Sequence, residues 1–178
     1  MFSIGDYRRL WSIGAGVGIA RWLELIALSI FTWQLTHSPS HVAAIAIVRM
    51  LPYALFGFAV GSFADTTDRR RLLIGVFLLA LLASAGMVAL SATGHAGYWS
   101  VLAVSGILGF VWTTDMPVRR RLLVEAAGSD RIASALGLDN STQHATRALG
   151  PLISGAAYQL IGVAGIFVLI CLVYVVCL

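Results

Sequence analysis

A chain of 178 residues with 59% hydrophobic and 11% charged residues carries more apolar surface than a soluble domain can bury; such domains are roughly 25% charged. Its formal charge of +4 comes from twelve arginines and no lysine, gathered in short clusters between apolar runs, a pattern of membrane-flanking charge that argues against nucleic acid as a partner. The composition fits a bilayer as solvent and predicts an all-α membrane protein.

Six apolar runs reach or approach the roughly 20 residues that cross a bilayer's hydrocarbon. In chain order they are 10–35, 42–64, 72–92, 98–118, 132–158 and 163–178, forming a single six-helix transmembrane domain over 1–178. The first follows Arg8-Arg9 but is far longer than the roughly 7–15-residue core of a secretory signal, and no small-x-small cleavage site follows it. Turn chemistry marks the breaks at His37-Ser38-Pro39-Ser40, Asp65 to Asp68, Gly94 to Gly97, Gly128 to Asp130, and Gly162. Residues 119–127 form an amphipathic stretch expected to lie on the inner surface. The sixth run has no polar flank and reads as a helix cut short. Its two cysteines, Cys171 and Cys177, have neither disulfide nor metal-site spacing and read as small hydrophobes.

Orientation follows from the loops. Two arginines precede the first run (Arg8, Arg9), three lie between the second and third (Arg69, Arg70, Arg71), and four between the fourth and fifth (Arg119, Arg120, Arg121, Arg131). The alternate loops, 36–41, 93–97 and 159–162, hold none. The positive-inside rule then places the N-terminus in the cytoplasm, and six spans return the C-terminus there. The stretch Asp65 to Leu73 resembles Asp115 to Leu123, as expected where two helices leave the membrane on the same side.

The other arginines, Arg21, Arg49 and Arg147, fall inside spans with Glu24 and Asp139. An ionised side chain at mid-bilayer costs at least about 2.5–3.5 kcal/mol, so these groups should pair or face a polar cavity. Arg21 and Glu24 are one helical turn apart and are expected to pair. On the fifth run, Asn140, Gln143, His144, Arg147, Gly150 and Ser154 follow steps of three or four, with Asp139 at the edge. They are expected to form one polar stripe facing the bundle interior, with Glu24, Arg49 and Arg147 in the middle-to-outer part of one cavity. Glu24 is the best proton-coupling candidate, and His144 could titrate near neutrality.

Four stretches resemble the major facilitator superfamily, especially its drug- and siderophore-exporter-like branch. Tyr7 to Trp11 resembles the entry to its first helix, and Leu35 to Pro39 the exit. Gly61-Ser62-Phe63-Ala64-Asp65-Thr66-Thr67-Asp68-Arg69-Arg70 resembles the signature loop Gly-x-x-x-Asp-(Arg/Lys)-x-Gly-Arg-(Arg/Lys), with Thr66 and Asp68 departing from it. Gly150-Pro151-Leu152-Ile153-Ser154-Gly155 resembles the Gly-Pro-x-x-Gly-Gly antiporter element, and Pro151 should bend its helix. Ser154 stands for one of that element's glycines, Thr146 for the glycine four residues before Gly150, and the fourth helix lacks the family's mid-membrane arginine.

The resemblance implies a secondary transporter of the cell membrane that exports a small organic molecule by proton antiport. It covers the N-terminal half of a twelve-helix fold, so it implies a second six-helix half, in the same polypeptide or another subunit. The rival function is a non-transporting membrane scaffold whose polar stripe is an oligomer interface. An enzyme is not expected: there is no acid dyad, no His-Glu-x-x-His element and no nucleophile setting. No cofactor or metal is called for.

Overall fold

A computed structural model describes residues 4–128 and 131–178, without the side chains of residues 4, 6 and 59–66. Ser129 and Asp130, part of one expected turn, therefore lie outside the described residues.

Five helices account for nearly all of the described chain: α1 (Ile4–Thr36), α2 (Pro39–Thr66), α3 (Arg69–Ala92), α4 (Tyr98–Ala127) and α5 (Ile132–Cys177). Each is long and apolar enough to cross a membrane. Their starts are written locally. Pro39 opens α2, where a first-turn proline forfeits no helical hydrogen bond. Asp68 caps α3, its Oδ1 accepting from the backbone N–H groups of Arg70 and Arg71 at 2.9 and 3.4 Å. Ser100 Oγ accepts from the Gly97 N–H at 3.0 Å and starts α4.

Two expectations change. Helix α4 does not stop at 118 but runs through to Ala127, with Arg119 and Leu123 buried. The stretch 119–127 is thus a continuation of the helix, held by packing along one side, not a separate surface helix. Helix α5 has 46 residues, about 69 Å at 1.5 Å per residue, more than twice the hydrocarbon thickness of roughly 30 Å. It is broken at Gly162, whose backbone (φ 64°, ψ −173°) is non-helical and in a region that a side chain would strain. The break divides it into arms 132–161 and 163–177.

Helix α1 packs chiefly on α5, α2 on α4, and α3 on both α4 and α5. The core between them holds Val17, Leu28, Phe77, Met87, Leu108, Phe167, Ile170 and Tyr174. Two glycines set the closest approaches. A methyl on Gly109 would overlap the Arg49 backbone carbonyl, so α2 and α4 touch main chain to side-chain-free surface. One on Gly150 would strike Trp22, so α5 lies directly on α1 there. Large apolar side chains face outward, among them Tyr53, Phe58, Leu152 and Leu160, as lipid contact requires.

Candidate functional site

Helix spacing places the charges. Arg21 and Glu24 are one turn apart on α1, Asp115 and Arg119 one turn apart on α4, while Arg49 and Asp139 come from α2 and α5. Glu24 is buried, and both its oxygens are engaged: Arg49 Nη2 donates to Oε2 at 2.7 Å and the Tyr174 hydroxyl to Oε1 at 2.8 Å. Arg21 and Glu24 therefore do not pair. Arg21 instead extends to Asp115, Nη2 to Oδ2 at 3.6 Å, with its guanidinium over the Trp112 ring at 4.9 Å. A helical step of three brings two side chains to one face, but cross-helix partners with fully desolvated carboxylates outcompete that neighbour.

Asp115 is fully buried. Arg119 Nε lies 3.6 Å from Asp115 Oδ1, and Arg119 Nη1 donates to Asp139 Oδ1 at 2.9 Å. Arg119 passes against Gly14 of α1, where a methyl would collide with its guanidinium. Arg120 Nε lies 3.5 Å from Asp139 Oδ2, and its Nη2 donates to Asn140 Oδ1 at 2.5 Å. The result is two networks: Glu24 with Arg49 and Tyr174, joining α1, α2 and α5, and an alternating run from Arg21 through Asp115, Arg119, Asp139 and Arg120 that joins α1, α4 and α5 and ends at exposed Asn140. Four guanidiniums (Arg21, Arg49, Arg119, Arg120) face three carboxylates (Glu24, Asp115, Asp139), Arg120 being the most exposed of them. Such groups are tolerated because each is paired; removing one partner strands a buried charge.

The expected stripe on α5 separates into two faces. Asp139, Gly150, Ser154 and Tyr158 are buried against the bundle and Gln143 is half-buried, whereas Asn140, His144 and Arg147 are exposed. Neighbouring positions differ by about 100° around a helix, so Asp139 and Asn140 cannot share a side. His144 and Arg147 make no side-chain hydrogen bond or ion pair among the described residues, and Arg147 does not join Glu24 and Arg49. At the far end, Ile30, Phe31, Gln34, Tyr158 and Gly162 help line a cavity of about 610 Å³, where the Tyr158 hydroxyl donates to Gln34 Oε1 at 2.6 Å.

The expected signature loop is mostly helix: Gly61 and Asp65 fall within α2, where side chains are not described, and only Thr67 and Asp68 separate α2 from α3. Asp68 caps α3, Arg69 pairs with Glu125 near the end of α4, and Arg70 is exposed. The bend residues diverge: Gly150 is buried under Trp22, Pro151 stays within α5, and Gly155 is half-buried with open space beside it. No group of three or more His, Cys, Asp or Glu that could hold a metal occurs among the described residues.

The sequence profile of transmembrane secretion effectors matches residues 2–178. The chain belongs to this family, within the major facilitator superfamily. As a secretion effector it is a multi-pass membrane protein. It is similar to macrolide efflux protein A of Streptococcus pyogenes, 21% identical over 154 residues, covering 85% of this chain and 38% of that protein. It is also similar to macrolide efflux protein A of Enterococcus faecalis, 22% identical over 118 residues, covering 66% of this chain and 36% of that protein. The chain thus spans under two fifths of the length of these curated relatives. No solved structure matches it.

Sequence reasoning missed Asp115, Arg119 and Tyr174. The two charged residues stood in what looked like loop-flanking charge. The available signal was their helical spacing of four with opposite sign, directly after an apolar run.

Proposed function

We propose that the chain is the N-terminal half of a secondary exporter that moves a small organic molecule out of the cell by proton antiport. In this reading the arms of α5 are separate spans, giving six, with both ends in the cytoplasm and the protein in the cell membrane. The exposed Asn140, His144 and Arg147 line a cavity completed by a second six-helix half, and the loop around Asp65, Asp68, Arg69 and Arg70 lies on the cytoplasmic side. Gly150 and Pro151 let α5 flex beside that cavity. The efflux function named for the macrolide exporters supports the direction.

One observation carries the proposal: Glu24 is buried in the bundle, and its carboxylate is held by one guanidinium from α2 and one hydroxyl from α5. Protonating Glu24 would discharge its pair with Arg49 and release that guanidinium, coupling a proton to a rearrangement between α1 and α2. Arg21, through Asp115, and Asp139, through Arg119, hold the second network in register.

The test is Glu24→Gln in membrane vesicles bearing the complete protein and an imposed proton gradient. Gradient-driven substrate movement should fall to background, while exchange of substrate for substrate persists. Unchanged gradient-driven transport would rule out Glu24 as the coupling group; no substrate flux with the unmodified protein would rule out transport itself.

A further inference from the structure

At its first turns α1 forms a groove with α5 that neither ion network uses. Tyr7, Arg8, Arg9, Trp11 and Ser12, with Leu138 of α5, line a space of about 710 Å³. Two hydrogen bonds hold its walls: the Tyr7 hydroxyl donates to the Ala135 carbonyl at 3.2 Å, and Trp11 Nε1 donates to Thr142 Oγ1 at 3.0 Å. With their polar atoms tied to α5, both aromatics offer apolar ring surface to the groove. Arg8 and Arg9 are exposed, and neither guanidinium has a hydrogen-bond or ion-pair partner among the described residues. Arg131, at the N-cap of α5 and one turn from Ala135, is exposed and equally unpartnered.

We propose that this groove binds an anionic phospholipid, with Arg8 and Arg9 on the phosphodiester and the acyl chains passing Trp11 and Leu138. Three features select a lipid. Arg8 and Arg9 directly precede the apolar run that starts at Leu10, so they stand where headgroups lie. Amphipathic aromatics such as Tyr7 and Trp11 favour that same boundary. Guanidinium forks match phosphate oxygens, while the apolar wall below them offers nothing to a soluble anion. The inference needs only that α1 crosses the bilayer, and it stands apart from the transport reading.

The measurement uses the purified protein in phosphatidylcholine vesicles containing a minor fraction of bromine-labelled phosphatidylglycerol or bromine-labelled phosphatidylcholine. Bromine quenches tryptophan on contact, and subtracting the Trp11→Phe signal isolates Trp11. Labelled phosphatidylglycerol should quench Trp11 in preference to labelled phosphatidylcholine. The preference should fall about five-fold for each arginine removed and roughly thirty-fold in Arg8→Gln/Arg9→Gln, following the usual gain per basic residue at an anionic surface. Arg8→Lys/Arg9→Lys should keep most of it, and Arg71→Gln all of it. Equal quenching by the two lipids would overturn the proposal, as would an unchanged preference in Arg8→Gln/Arg9→Gln. So would the same loss in Arg71→Gln, which would mean diffuse surface charge, or displacement of the labelled lipid by inorganic phosphate, which would mean a soluble anion site.

Discussion

Arg119 shows how a single side chain can join three helices. It comes from α4, lies in the space left by Gly14 of α1, and reaches Asp139 of α5 while staying beside Asp115. Arg119→Ala leaves Asp115 with Arg21 alone and Asp139 with Arg120 alone, and breaking a buried pair costs about 3–5 kcal/mol. Thermal unfolding in detergent should show a loss of that order. The triple change Asp115→Asn/Arg119→Gln/Asp139→Asn should recover part of it, because no carboxylate is then left short of a cation and only the less buried Arg21 and Arg120 lose their carboxylate partners. A triple variant as unstable as Arg119→Ala would mean that the arginine acts by shape alone. These partnerships were not legible in the sequence. Glu24 and Arg49 are 25 positions apart, and only the approach of α2 to α1 selects that pair over adjacent Arg21. That Glu24, Arg49 and Asp139 needed partners was legible, because hydrocarbon cannot satisfy them.

Helix positions were largely written in the apolar runs, except that α4 runs to Ala127 and not 118. The starts of α2, α3 and α4 agree with the expected spans to within a few residues, since hydropathy and turn chemistry act along the chain. Helix faces were harder. Grouping Asp139 with Asn140 and His144 on α5 treated a broad arc as one stripe, and the contacts of Asp139 with Arg119 and of Gly150 with Trp22 show which edge turns inward. The turn at Gly162 was legible, because glycine was the one residue able to supply it without strain. Gly162→Ala puts a side chain at φ 64° and should destabilise the protein by about 1–3 kcal/mol. Denaturation followed by circular dichroism would check this, and a variant as stable as the parent would show that the break relaxes easily.

The whole molecule divides its charge by side. Removing buried Arg119 from the count leaves the arginine bias between alternate loops intact, so the orientation argument does not depend on it. Single cysteines in a Cys171→Ser/Cys177→Ser background provide the check. His95→Cys should react with an impermeant thiol reagent in intact cells, whereas Thr67→Cys should react only after permeabilisation. The reverse pattern would invert the topology. Charge balance inside the bundle has an electrical consequence. As a neutral buried pair, Glu24 and Arg49 can move across a membrane voltage with almost no electrical work. One unbalanced charge carried across 100 mV is worth about 2.3 kcal/mol. A proton on Glu24 would create that imbalance, so the membrane potential would act on this pair only while the carboxyl is protonated.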